Sequence, residues 1–106
     1  MKIKVKIPKE ITIGLYPYSV ELTPHLKLEE GSWGTTNFVK RTIRLDSGLS
    51  LLERNQTLIH EVFHVISASF LCGLDEDNVE RLANGIGELL FDNLHIEFNW
   101  DDIPAE

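Results

Sequence analysis

The sequence predicts an α+β fold in which an antiparallel sheet packs on two helices. Apolar and polar residues alternate through most of residues 2–46, a pattern typical of half-buried strands. From Ser50 onward, apolar residues recur instead at the spacing of amphipathic helices. Strands that come first and helices that follow are typical of the α+β class. A chain of 106 residues is predicted to form one domain, residues 1–106.

Three stretches are predicted to supply the strands. Lysines alternate with branched apolar residues over residues 2–7, as in a strand with one buried face. Residues 11–22 alternate again and are predicted as a second strand, broken or bulged at Pro17. Residues 33–46 predict a hairpin with its turn near residues 38–41. These strands are therefore expected to precede the helices along the chain.

The first predicted helix begins after Ser50. In the sequence SLLE, the Ser50 hydroxyl can accept from the backbone N–H of Glu53, and the Glu53 carboxylate can reach back, which is a capping box. The helix is predicted to run to about Leu71, with Gly73 as a left-handed stop. Both ends of this helix are thus predicted from local capping residues.

A second helix is predicted within residues 74–93. Asp75 or Asp77 can cap it, and acidic residues suit its first turn. A tight turn at Gly73 predicts that the two helices pack as an antiparallel hairpin. The tail, residues 94–106, leaves two alternatives open, a short strand or a loose end. The apolar stripe expected to face the core contains Val79, Leu82, Ala83, Ile86, Leu89 and Leu90.

The charge balance argues against nucleic-acid and membrane partners. The formal net charge is −7, whereas phosphate binding needs clustered Lys and Arg. The local basic group of Lys40, Arg41 and Arg44 is explained equally well by a solvated strand edge. Cys72 is the single cysteine, so no internal disulfide is possible, and no apolar run approaches the roughly 18 residues of a membrane span. We therefore expect a cytoplasmic protein that binds neither nucleic acid nor a membrane.

The motif HEVFH, residues 60–64, lies inside the first predicted helix. At about 100° per residue, His60 and His64 are about 40° apart, so both imidazoles can reach one metal ion. Glu61 lies about 100° from His60, next to the ion rather than bound to it. HExxH on a helix is typical of a zinc site in which the glutamate is the general base. Zinc lowers the pKa of its bound water to roughly 7, and Glu61 can take the proton.

A catalytic zinc site needs a third protein ligand, and the second helix offers Glu80. In an antiparallel hairpin, the beginning of the second helix lies near the end of the first, which brings Glu80 to the histidine pair. Asn84, on the same face, is expected to orient a ligand histidine, and Gly87 allows the helices to approach closely. The alternatives for the third ligand are Glu88 and His95, and a Cys72 thiolate could cover the zinc ion in a latent form. The candidates for stabilising a developing oxyanion are Tyr16 and Tyr18.

The sequences HEVFH, residues 60–64, and ERLAN, residues 80–84, resemble the site of gluzincin metallopeptidases, whose second motif is Glu-x-x-x-Asp. The chain is similar to minimal gluzincins and to the small phage metallopeptidases of the ImmA/IrrE type. The resemblance covers about residues 42–93 and departs from the family at Asn84, which adds no charge. It implies a zincin-like fold and zinc-dependent hydrolysis of peptide bonds in a peptide or protein substrate. In such a site His60, His64 and Glu80 bind zinc, Glu61 is the general base, and Asn84 orients a ligand histidine. The alternative is a catalytically weak or inactive zinc-binding regulatory or interaction protein of phage origin.

Overall fold

The alternating segments form strands and the periodic segments form helices, which confirms the α+β class. The computed structural model describes residues 1–105. Its helices and strands are, in chain order, β1 (Ile3–Lys6), β2 (Glu10–Ile13), β3 (Tyr16–Thr23), α1 (Leu26–Glu30), β4 (Gly34–Asn37), β5 (Thr42–Asp46), α2 (Leu51–Ser69), α3 (Glu76–Gly87) and β6 (Ile96–Asn99). A π-helical turn, Glu88–Asn93, continues α3 without a break.

The main sheet has four strands in the order β2-β3-β5-β4, and it is mixed rather than antiparallel. The expected hairpin is present, because β4 and β5 pair antiparallel across the turn at residues 38–41. The prediction of a wholly antiparallel sheet is wrong, since β3 and β5 run parallel. The chain leaves β3 through α1 and enters the sheet at its far edge as β4, so that β5 returns between them. This route leaves β4 as an edge strand.

The second predicted strand is in fact a hairpin. Gly14 and Leu15 both have positive φ, 62° and 74°, as in the two-residue turns that join antiparallel strands. Pro17 therefore does not break the strand but lies within β3, opposite Thr12 of β2. Pairing between β3 and β5 begins only at Ser19, so the missing N–H of Pro17 costs no hydrogen bond to β5.

The capping box at the start of α2 is confirmed. The Glu53 N–H donates to the Ser50 hydroxyl at 3.2 Å, and the Ser50 N–H donates to the Glu53 carboxylate at 3.0 Å. These two bonds satisfy N–H groups that the helix itself cannot pair. The backbone N–H of Ser50, followed by its hydroxyl, lowers the pKa of the Glu53 carboxyl. The start of the helix that carries the HEVFH motif is therefore fixed locally.

The end of α2 and the start of α3 form the predicted antiparallel hairpin. The last residue of α2 is Ser69, two residues before the predicted end, and Leu71 and Gly73 both adopt positive φ, 55° and 67°. Asp75 caps α3 by accepting from the Asn78 N–H at 2.8 Å. The two helices then pack along their lengths.

The apolar stripe of α3 is narrower in the structure than in the prediction. Val79 and Ala83 are buried against α2, whereas Leu82, Ile86 and Leu89 are exposed. The helix packs on a single neighbour, so only the middle of the stripe is covered. The main core lies between the sheet and α2 and contains Ile7, Tyr18, Val20, Leu22, Ile43, Leu45, Leu58, Val65, Trp100 and Ile103.

The tail forms a strand, which decides between the two alternatives. β6 pairs in parallel with β1, from Ile3 opposite Ile96 to Lys6 opposite Asn99. Trp100 follows at once, and its buried indole N–H donates to the Asn55 side chain of α2 at 2.8 Å. Among the described residues, no helix combines the length and apolarity needed to cross a membrane.

Candidate metal centre

The four-residue spacing in α2 brings the two imidazoles together. The Nε2 atoms of His60 and His64 are 3.2 Å apart. Two ligands that each lie about 2.0–2.1 Å from a tetrahedral zinc ion are separated by about 3.3–3.4 Å. Both rings are mostly covered, with 16% and 27% of their side-chain surface exposed. The pair is therefore arranged as two ligands of one ion would be.

Glu61 is buried next to this pair. Only 7% of its surface is exposed. The hydroxyl of Thr36, on edge strand β4, donates to Glu61 Oε1 at 2.7 Å. One ligand atom from each of His60, Glu61 and His64 lies within 4.8 Å of the other two. The hydrogen bond from β4 thus holds the carboxylate in position beside the imidazoles.

Glu76 is a site residue that the sequence motifs do not contain. Its Oε1 lies 2.7 Å from His60 Nε2, and its Oε2 lies 2.8 Å from His64 Nε2. Glu76 is the first residue of α3, directly after the cap at Asp75. The helical repeat gave a signal for it, because Glu76 lies one turn before Glu80 on the same face.

Glu80 also reaches the histidine pair, but from another side. Its Oε2 lies 3.0 Å from Nδ1 of His60, the ring nitrogen that faces away from Glu76. The sequence predicts that Glu80 converges with both histidines on one point. In the structure, Glu80 contacts His60 but not His64 among the described residues. The role of Glu80 as a zinc ligand stays a prediction.

Asn84 contacts neither imidazole among the described residues, so the expected support of a ligand histidine is not seen. Its Oδ1 instead accepts from Gln56 Nε2 at 3.4 Å. The reason is the register of the antiparallel hairpin: successive turns pair His64 with Glu76, His60 with Glu80 and Gln56 with Asn84. Asn84 is one turn too far along α3 to reach a histidine. A Cβ at Gly87 would overlap the Gln56 side chain, as the predicted close approach of the helices requires.

The remaining candidates lie elsewhere in the fold. Cys72 is exposed in the turn after α2. His95 precedes β6, and its carbonyl accepts from the Ile3 N–H at 2.9 Å. Tyr16 stacks with Arg41, 3.7 Å from guanidinium carbon to ring centre, and Tyr18 belongs to the core. The alternative ligand Glu88 lies at the start of the π-helical turn, and no ligand group of the described residues includes it.

An open cavity of about 230 Å³ lies beside His60. It is smaller than typical drug-binding pockets of about 300–1,000 Å³, so it suits one side chain or a short segment. Strand β4 borders it at Gly34. The helices contribute Gln56, Thr57, His60, Glu61 and Glu80 to its wall.

The donor atoms fit a zinc ion chemically. Imidazole nitrogen and carboxylate oxygen are zinc's ordinary ligands in proteins, and this site offers two of the first and up to three of the second. Glu76 and Glu80 contact no Lys or Arg in the described part of the chain, so their negative charge is directed at the histidines.

Comparisons with protein-family models, curated proteins and solved structures found no significant match.

Proposed function

We propose that this chain is a zinc-dependent metallopeptidase with a zincin-like fold of the gluzincin type. The observation that carries the proposal is the buried carboxylate of Glu61, held by Thr36 beside the imidazoles of His60 and His64. Burying a carboxylate is costly unless its oxygens are hydrogen-bonded or the group has a function, and Oε2 of Glu61 accepts no hydrogen bond from the described residues. Its place at the edge of an open cavity supports a role in chemistry.

Each residue of the site has a role that its geometry supports. His60 and His64 hold the ion, and the third ligand comes from α3, where Glu76 and Glu80 both reach His60. When bound, zinc makes a coordinated water more acidic and polarises a carbonyl group. Glu61 would accept a proton from the attacking water on its carboxylate and would deliver it to the leaving amine. Thr36 orients the carboxylate through Oε1.

The edge strand β4 favours a peptide as substrate. On one side β4 pairs with β5, and its other edge has no partner strand among the described residues. An extended peptide can add to such an edge through main-chain hydrogen bonds, independently of its sequence. β4 also carries Thr36 and begins at Gly34 in the cavity wall, so a peptide on this edge would pass the base.

A zinc-binding interaction protein without catalytic activity is the second candidate. The observation that favours it is the position of the chain's two tyrosines, since Tyr16 stacks on Arg41 and Tyr18 is in the core. No hydrogen bond or ring contact of the described residues joins either tyrosine to the histidine pair, so the site has no evident tyrosine to stabilise an oxyanion. Such a protein would use zinc only to tie α2 to α3.

The test combines metal analysis with the variant Glu61→Gln. Purified wild-type chain is expected to bind one zinc per molecule and to gain thermal stability, because the ion binds the folded state. It is expected to cleave unfolded protein or peptide substrates. Glu61→Gln should keep the zinc and the fold while hydrolysis falls by about 100- to 10,000-fold. Glu88→Gln, an exposed change outside the site, is the matched control.

The outcomes separate the two candidates. A wild-type chain that takes up no metal refutes both. A chain that binds zinc but cleaves no member of a broad substrate panel supports the interaction protein. Loss of zinc in Glu61→Gln would show that Glu61 is a ligand and not the base.

A further inference from the structure

We propose that Glu76, and not Glu80, is the third metal ligand, and that Glu80 is a positioning residue for His60. This assignment rests on the metal site of the proposed function and goes against the motif resemblance, which gives the ligand role to Glu80. It depends on contacts of three side chains that α2 and α3 bring together.

The carboxylates of Glu76 and Glu80 face different ring nitrogens of His60. Glu76 spans both histidines, with one oxygen 2.7 Å from His60 Nε2 and the other 2.8 Å from His64 Nε2. The same two nitrogens are 3.2 Å from each other. His60, His64 and Glu76 therefore each direct a metal-binding atom at the same point. Glu80 touches only His60, so it does not close this set.

The contact of Glu80 with the second nitrogen of His60 fits a supporting role. A metal-bound imidazole usually donates its other N–H to a carboxylate, carbonyl or water, which fixes the ring orientation. Glu80 Oε2, 3.0 Å from Nδ1 of His60, is placed to accept that hydrogen bond. If Nε2 binds the ion, Glu80 has the geometry of this supporting carboxylate. The two glutamates thus take different roles on opposite sides of one ring.

Ordinary surface ion pairing does not account for the position of either glutamate. Their side chains are 67% and 59% exposed, yet both turn to the histidines. Exposed ion pairs contribute little to stability, so holding two long side chains here has no evident structural gain. Binding a shared cation offers one.

The test compares zinc and cobalt binding in Glu76→Gln, Glu80→Gln and the control Glu88→Gln. Zinc affinity is measured by competition with a chelator, and the absorption spectrum of bound Co²⁺ reports the atoms that bind the ion. Glu76→Gln is expected to show the largest loss of zinc affinity and an altered Co²⁺ spectrum. Glu80→Gln should lose about 10- to 100-fold in affinity and keep the wild-type spectrum. Glu88→Gln should match wild type in both.

Three results would overturn the assignment. If Glu80→Gln alters the Co²⁺ spectrum and Glu76→Gln does not, Glu80 is the ligand, as the resemblance implies. If Glu76→Gln binds zinc as tightly as wild type, Glu76 is only a surface carboxylate. If the wild-type chain binds neither ion, the metal site and this assignment both fall. Thermal unfolding of the metal-free variants, expected to equal wild type for these exposed residues, excludes a folding defect as the cause.

Discussion

Asp46 and Glu61 are both buried carboxylates, but their hydrogen bonds suit Asp46 to a structural role and Glu61 to a chemical one. Asp46 accepts from two backbone groups, the N–H of Lys27 at 2.8 Å and the N–H of Gly48 at 2.7 Å, and so joins the start of α1 and the turn after β5 to the end of that strand. Glu61 accepts from one hydroxyl through Oε1, and no hydrogen bond of the described residues reaches its Oε2. One oxygen of Glu61 is therefore available to exchange a proton, whereas both oxygens of Asp46 are committed.

The hydrogen bonds of Asp46 predict a pH-dependent contribution to stability. The backbone N–H of Lys27, followed by that of Gly48, lowers the pKa of Asp46. A carboxyl group with a lowered folded-state pKa stabilises the fold above its unfolded pKa of about 3.9, and this contribution is lost as the pH falls through the folded value. Asp46→Asn should therefore be less stable than wild type at neutral pH, because one amide oxygen replaces two carboxylate acceptors.

The measurement is denaturant unfolding of wild type and Asp46→Asn from pH 7 down to pH 3. The difference in unfolding free energy is expected to shrink at the acid end. Glu53, whose pKa is also lowered, is present in both proteins and cancels in the comparison. A difference that stays constant over the whole range would contradict the prediction.

At the scale of elements, the site depends on the close packing of β4 on α2. Gly34 begins β4, and a Cβ there would lie 2.7 Å from Thr57 Cγ2 of α2 and 3.0 Å from Leu45 Cδ2 of β5. A larger residue forces either the Thr57 side chain or the strand itself to shift. Because β4 also carries Thr36, a shift of the strand would move the donor that orients Glu61.

The variant Gly34→Ala is accordingly expected to lose about 1–3 kcal/mol of unfolding free energy, the usual cost of overpacking. The control is Gly85→Ala, since a Cβ at Gly85 within α3 meets nothing within 4 Å. That change should be neutral or stabilise by up to about 1 kcal/mol, because alanine favours helix over glycine. Unfolding by denaturant measures both. Equal stability of Gly34→Ala and wild type would show that the strand tolerates displacement.

At the scale of the whole molecule, strands near the two ends of the described chain pair with each other. β1 and β6 form a separate parallel pair, and Trp100 after β6 enters the core between sheet and helix. Its indole N–H bonds to Asn55, itself buried in α2. The residues after α3 therefore stabilise the same helix that carries the histidines.

Replacing Trp100 is expected to destabilise the entire molecule. Trp100→Ala should cost about 3–5 kcal/mol, as for other buried aromatic residues, and it leaves Asn55 without its donor. Trp33→Ala is the matched control, because Trp33 is 40% exposed and should cost clearly less. Thermal or denaturant unfolding gives both values. If the two variants lose the same stability, Trp100 does not have the core role that its burial indicates.

Features that arise from nearby residues can be predicted from the sequence without the fold. The capping box at Ser50 and Glu53 spans three positions, and the pairing of His60 with His64 spans one helical turn. The β4–β5 hairpin likewise depends on a turn of a few residues. Steric and hydrogen-bonding rules fix such short-range geometry before the rest of the chain is placed.

Features that depend on how distant segments meet follow from the tertiary contacts and not from local sequence. The parallel pairing of β3 with β5 follows from the path of the intervening chain, and the strand at β6 exists because β1 is there to pair with it. The same holds at the site. The register of α2 against α3 places Glu76 across both histidines and carries Asn84 past them, because a shift of one helical turn, about 5.4 Å, decides which side chain reaches the imidazoles.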